Sequence, residues 1–263
     1  MDDLDNLIAG LINEHGSYRS IVIPSDSGAK RKLVRSLINL RPPLPASPQL
    51  LILQDAELGR QLSEKGIVYP DMINSVPRET RFKLWQGDIT RLKVDSIVNA
   101  ANCRMLGCFV PLHDCIDNAI HSAAGIQLRL ECNELMKKQG HNEPTGSARI
   151  TSGYNLPAKY VIHTVGPVIG CRKVTKEDED LLTSCYRTCL QLADENKLRS
   201  IAFCCISTGE YRFPNQKAAE IAIRTVREYF CQSSVSSVET VVFNVFKEID
   251  YSIYSHLLMF SKL

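Results

Sequence analysis

Cys108, His113 and Cys115 fall in the stretch Gly107-Cys108-Phe109-Val110-Pro111-Leu112-His113-Asp114-Cys115, a loop-like run in which a small core hydrophobe has little reason to sit. The pattern Cys-x4-His-x-Cys offers two thiolates and an imidazole, soft to borderline donors suited to Zn²⁺. Structural zinc takes four protein ligands, whereas catalytic zinc keeps a position open, so a set of three in a loop points to chemistry. On spacing alone, two unligated thiols beside an exposed histidine describe the pattern equally well. Three further loops carry small and polar residues. Gly87-Asp88-Ile89-Thr90 contains an aspartate that could simply cap a turn. Asn99-Ala100-Ala101-Asn102 combines amide donors and acceptors with side chains small enough to admit a ligand. Ser207-Thr208-Gly209-Glu210-Tyr211-Arg212-Phe213-Pro214 enters a helix and can turn backbone N–H groups toward a phosphate, with Gly209 leaving room for close approach. His121 and His163 read as packing or hydrogen-bonding residues rather than ligands.

The elements that must position these loops alternate. Short β-branched runs occur at FKLWQG, VDSIVNAA, ARITSGY, YVIHTVG, SIAFCCIS and ETVVFNVF. Helical spacing runs through IDNAIHSAAGIQLRLECNELMKKQG, EDEDLLTSCYRTCLQLADENK and NQKAAEIAIRTVREYF. Strands alternating with helices predict a mostly parallel sheet covered on both faces, with ligands outside the carboxyl ends of the strands. Residues 1 to 78 differ: DDLDNLIAGLINEH, AKRKLVRSLINL and LLILQDAELGRQLSEKG read as helices, broken by RPPLPASP, with no clear strand. They are expected to form a packed extension rather than an independent partner-binding module.

Composition sets the outer bounds. A chain of 263 residues can bury a sizeable core, and 44% hydrophobic with 23% charged residues excludes disorder and collagen-like structure. Lys+Arg 31 against Asp+Glu 29 leaves a net charge of +2, so no global field recruits nucleic acid or a membrane. No apolar run approaches the ~18 residues of a spanning helix, and MDDLDNLIAG lacks the features of a secretory leader, so the expectation is a soluble, cytoplasmic protein. The ten cysteines are accordingly expected as thiols, with Cys185, Cys189, Cys204 and Cys205 in the core. The ending Ser261-Lys262-Leu263 is the tripeptide read by the peroxisomal import receptor and gives a second possible address in a eukaryotic host.

Taken in order, GDIT, VDSIVNAAN, IDNAIHSAAG, YVIHTVGP and STGEYRFP resemble a macrodomain over about residues 80–260. The resemblance implies a three-layer α/β/α sandwich over 79–263 with a mixed, mostly parallel sheet, binding ADP-ribose in a cleft at its top. Most enzymatic members carry glycines between the Asn-Ala-Ala-Asn loop and the next helix. Here GCFVPLHDC replaces them, which, with the helical extension, is similar to the zinc-dependent subclass that removes ADP-ribose from modified proteins.

What the resemblance implies for single residues follows its motifs. Asp88 corresponds to the acceptor of the adenine amino group, with Ile89 flanking the ring. Asn102 corresponds to the contact with the distal ribose, and Asp117 to the acidic residue beside the scissile bond. Ser207, Thr208, Gly209, Glu210 and Tyr211 correspond to the diphosphate loop, and Phe213 to an aromatic on the distal ribose. Phe246 stands between stacking on adenine and an ordinary core position. Cys108, His113 and Cys115 would hold Zn²⁺. The implied partners are ADP-ribose and mono-ADP-ribosylated proteins, the implied bond an ester to Asp or Glu, and the implied catalytic residues Asn102 and Asp117. A non-catalytic ADP-ribose reader and an O-acetyl-ADP-ribose deacetylase are the alternatives; a pure reader has no need of the metal set.

Overall fold

The computed structural model describes residues 3–77, 79–232 and 235–260. Ser261, Lys262 and Leu263 lie outside the described residues. Three helices open the chain: α1 (Asp3–Asn13), α2 (Ser27–Leu40) and α3 (Pro48–Lys65). Asp26 caps α2 by accepting the Ala29 N–H, and Ser47 caps α3 by accepting that of Leu50, with Pro48 in the first turn where its missing N–H costs nothing. Their apolar faces close on one another through Leu4, Leu7, Ile8, Leu11, Val34, Leu37, Ile38 and Leu50.

The rest alternates as the sequence predicts: β1 (Ser75–Val76), β2 (Glu79–Gln86), β3 (Ser96–Ala100), α4 (Ile116–Ala124), α5 (Ile126–Gln139), β4 (Ala148–Ser152), β5 (Tyr160–Thr164), α6 (Lys176–Glu195), β6 (Ser200–Phe203), α7 (Asn215–Gln232), β7 (Thr240–Val245) and α8 (Glu248–Phe260). The seven strands form one sheet in the order β1-β2-β7-β6-β3-β5-β4. β2, β7, β6, β3 and β5 run parallel, and only the edge strands β1 and β4 are antiparallel. Helices α6, α7 and α8 pack side by side as one layer, with α4 and α5 forming another. The inner strand residues Ile97, Val98, Val161, Ile162, Ile201, Val241 and Val242 are all buried, as strands covered on both faces require.

Three features depart from the sequence reading. The run 116–140 is two helices. Gly125 breaks it at φ +97°, and a Cβ there would lie 2.6 Å from the Gln54 amide of α3. Gln54 fills that space and accepts the Ile126 N–H at 2.9 Å, capping α5 from the extension. The N-terminal 78 residues also contribute the two-residue edge strand β1, and Val68 bridges to Leu92. Helix α8 was not foreseen. Among the described residues no helix is long and apolar enough to cross a membrane. All ten cysteines are free, with Cys185, Cys189 and Cys204 buried and Cys205 part-buried.

Candidate functional site

Because five strands are parallel, the loops after β2, β3, β5, β6 and β7 leave the same edge of the sheet. The long connection from Ala101 to Cys115, after β3, holds the thiols and imidazole. Cys108 Sγ lies 3.7 Å from His113 Nδ1, and the donor atoms of Cys108, His113 and Cys115 all lie within 4.8 Å of one another. All three residues are part-buried. Cys115 is the N-cap of α4, its Sγ accepting the Asn118 N–H at 3.4 Å. Burial, with Cys108 adding to it, pushes the Cys115 thiol up to about 12, so without a cation it stays protonated. Soft donors converging in a half-buried loop are the chemistry Zn²⁺ favours, and this set fits it.

Asp117, in the first turn of α4, is buried just behind this set. Asn99 Nδ2 donates to its Oδ1 at 2.8 Å and Asn102 Nδ2 to its Oδ2 at 3.1 Å. Asn102 also donates to the Gly107 carbonyl at 3.2 Å, tying the loop to the carboxylate. Burial outweighs these bonds and pushes the Asp117 carboxyl up to about 6. The sequence alone gives Asn99 no role beyond its place in the Asn-Ala-Ala-Asn loop; in the structure it lies inside β3, fully buried, where strand alternation turns it to the same face as His163 opposite.

Beneath Asp117 lies a second buried group, His121, Cys132 and His163. His163 Nδ1 is 3.1 Å from Asn99 Nδ2 and its Nε2 is 2.9 Å from Thr151 Oγ1, the hydrogen-bonding role expected of it. The ring of His121 packs against Gly107, where a Cβ would approach within 2.8 Å at φ +76°. Burial holds His163 down to about 3 and His121 well below its ordinary range, so both are neutral in the fold. On unfolding they return to about 6.5, so their contribution to stability is full above that pH and is lost as pH falls below it. Asp117 opposes them, because its raised carboxyl takes up a proton in the folded state between about pH 6 and 4. Two groups against one leave a net loss of stability as the pH falls from about 7.5 to about 5 in chelator-treated protein. A lower urea midpoint at the acid pH is expected; an unchanged one would mean that the rings carry protons in the fold.

The loop after β6 approaches the first. Glu210 Oε1 is 3.8 Å from His113 Nε2, which brings the 207–211 segment against the thiol–imidazole set. Ser207 has φ +66° and is buried, with no hydrogen-bond partner for its Oγ among the described residues. The position of a Cβ on Gly209 has no neighbour within 4 Å among the described residues, and Tyr211 is part-buried. Phe213, however, is 1% exposed within the main core, and its ring offers a ribose no face in this structure. Helix α7 begins immediately after Pro214, and the chain dives into the sandwich at Phe213 to reach it.

After β2, Asp88 caps the turn Ile89–Arg91, its Oδ1 accepting from the Thr90 N–H at 3.0 Å and Oγ1 at 2.6 Å. Oδ2 accepts from Lys65 Nζ, at the end of α3, at 3.2 Å. Burial raises this carboxyl, but Thr90 and Lys65 together outweigh it and hold it below the usual range. Ile89 is buried. Phe246, after β7, is 75% exposed, which removes the core reading and leaves it at the carboxyl edge of the sheet.

The family described as Macro domain matches residues 98–222. Named relatives match nearly the whole chain, extension included. The protein-ADP-ribose hydrolase of Treponema medium is 48% identical over 254 residues, covering 96% of each chain. That of Staphylococcus aureus strain MSSA476 is 48% identical over 251 residues, 95% of this chain and 93% of its own. Among solved structures, the Trypanosoma brucei macrodomain in complex with ADP-ribose is 33% identical with a TM-score of 0.66, covering 85% of this chain and 94% of that one. The Oceanobacillus iheyensis macrodomain with ADP is 39% identical with a TM-score of 0.60, covering 67% of this chain and 89% of that one.

Proposed function

Since the chain belongs to the macrodomain family, we propose that it is a protein-ADP-ribose hydrolase that removes mono-ADP-ribose from modified proteins, cleaving an ester to Asp or Glu. The observation that carries this reading is one juxtaposition. Asp117, braced by two amides, stands behind a three-donor thiol–imidazole set, and the 207–211 loop meets that set at His113. Cys108, His113 and Cys115 hold Zn²⁺ in this reading, and the ion supplies Lewis acidity toward a water or a ribose hydroxyl. The 207–211 loop cradles the diphosphate with backbone N–H groups, Asn102 faces the distal ribose, and Asp88 accepts from the adenine amino group, with Phe246 beside the ring.

The bond broken joins C1″ to the acceptor oxygen. Water supplies the hydroxyl that ends on C1″, the acceptor leaves as a carboxylate, and one proton is released. Asn99 and Asn102 each occupy one lone pair of the Asp117 carboxylate, which fixes its plane while each oxygen keeps another lone pair for the proton of the attacking water. The test is release of ADP-ribose from an Asp/Glu-modified protein, together with metal analysis. About one zinc per chain is expected, with turnover lost on chelation and restored by Zn²⁺. Zinc-independent turnover would overturn the metal assignment.

Asp88 separates binding from turnover. Asp88→Ala removes a charged acceptor, worth about 1.5–3 kcal/mol, so ADP-ribose affinity should fall about 10- to 100-fold by calorimetry. Turnover on saturating substrate should stay within about threefold, because no bond at C1″ depends on the adenine end. Unchanged affinity would move the adenine elsewhere.

A further inference from the structure

The helical extension reaches into the thiol–imidazole loop. Arg35 and Asn39 stand one turn apart on α2, on the face turned toward α4. Arg35 Nη2 donates to the His113 carbonyl at 3.1 Å, and Nη2 and Nε donate to Asn118 Oδ1 at 2.8 and 3.2 Å. Asn39, fully buried, accepts the Leu112 N–H at 3.0 Å and donates to Ser122 Oγ at 2.8 Å. Asn118 Nδ2 in turn donates to the Val110 carbonyl at 3.0 Å. From the other side Arg129, on α5, gathers the carbonyls of Ile38, Asn39 and Arg41 at the end of α2 with Nη1. The same guanidinium donates to the Leu106 carbonyl at 2.7 Å and the Cys108 carbonyl at 3.4 Å, and it lies over the Phe109 ring.

We propose that α2 is a positioning element for the ligand loop: Arg35 and Asn39 fix residues 108–115 so that Cys108, His113 and Cys115 converge before a metal arrives. The loop needs such help. It has no regular structure, and Leu112 sits at φ +57°, a conformation an L residue keeps only where its surroundings impose it. The N–H of that residue is the one Asn39 accepts, and the carbonyl of the next, His113, is the one Arg35 binds. A donor set held in place in advance binds its ion more tightly, since ordering the loop no longer opposes binding. The metal part of this inference rests on the proposed zinc reading, whereas the ordering of the loop does not.

Arg35→Met in the full-length protein is the primary test, since Arg35 is only part-buried and its loss leaves no buried charge. Amides of 108–113 should exchange with deuterium about tenfold faster in chelator-treated protein, with those of β6 and α6 unchanged. Zinc affinity, from competition with a chromophoric chelator, should weaken by about 10- to 100-fold, the range typical of partners that orient metal ligands. ADP-ribose affinity and KM should stay within about threefold while kcat falls. Arg35→Lys, which can keep one of the three bonds, should recover part of each effect, and Asn39→Ser should speed exchange at Leu112 above all. A merely structural role for α2 would instead lower the melting temperature and speed exchange throughout. Unchanged loop exchange in Arg35→Met, at wild-type melting temperature, overturns the proposal. If the wild-type protein bound no zinc, the metal assignment would fall while the exchange measurement still decided whether α2 positions the loop.

Discussion

Cys115→Ser is expected to strip the protein of zinc and to lower ADP-ribose release by at least about 100-fold, because losing even the outer partners of metal ligands costs about 10- to 100-fold. The choice of Ser isolates the thiolate. Cys115 has two roles in the structure: its Sγ belongs to the donor set, and it caps α4 by accepting the Asn118 N–H. Ser is a better N-cap than Cys, so α4 keeps its first turn, while its hydroxyl is a hard and un-ionised donor that Zn²⁺ does not favour. Cys115→Ala would remove both roles, and the cap alone is worth about 1 kcal/mol, so the Ser–Ala difference in melting temperature measures the cap. ADP-ribose affinity should change little in Cys115→Ser, since the adenine and diphosphate contacts proposed above lie on other loops. Wild-type turnover in a zinc-free Cys115→Ser preparation would remove the metal from the reaction and return the whole task to Asp117.

What was legible in the sequence was local. The β-branched runs VDSIVNAA and YVIHTVG became neighbouring parallel strands, paired from Ser96–Tyr160 to Ala100–Thr164. Their periodicity reports burial on both faces, and burial is what a core strand is. The thiol–imidazole pattern was legible for the same reason, since its three residues lie within one loop. Contacts between distant segments were not. Gly125 divides a continuous helical pattern because Gln54, 71 residues earlier, fills the space of its missing side chain, and no periodicity carries that fact. Arg35 and Asn39 read as ordinary polar positions on an amphipathic helix, although Asn39 is fully buried against the ligand loop. Arg129, in the run LRLEC, carried a weak signal as a charge between apolar residues; it proves to be buried, with burial pushing its guanidinium down to about 10. Helix α8 escaped notice because its apolar residues surround it instead of forming a stripe: Tyr254, Leu257 and Leu258 are buried while Ile249, Tyr251 and Met259 face outward. Phe213 and Phe246 differ in burial from what their sequence surroundings suggest, for a similar reason. The first lies beyond a polar loop yet is drawn into the core, and the second continues an apolar strand yet emerges from it.

Asp117→Asn should lower turnover by about 10²- to 10⁴-fold, the range for removing a general base, with ADP-ribose affinity within about threefold of wild type. The substitution keeps volume and removes charge, but it does not leave the surroundings untouched. Both carboxylate oxygens accept from amide NH₂ groups, Asn99 on one side and Asn102 on the other. An Asn side chain at 117 must turn its own NH₂ toward one of them, so one hydrogen bond is lost and two donors face each other in a buried place. That should cost about 1–3 kcal/mol of stability, and the fall in melting temperature separates it from chemistry. Pairing Asp117→Asn with Asn99→Asp restores an acceptor opposite the new amide and leaves Asn102 its bond to the Gly107 carbonyl, without recovering a base at position 117. If Asp117 takes the proton from water, the double variant regains melting temperature and stays slow. If it only braces Asn102 and the ligand loop, the double variant regains turnover as well, and the base must be sought elsewhere, with Glu210, an exposed carboxylate 3.8 Å from His113, one candidate.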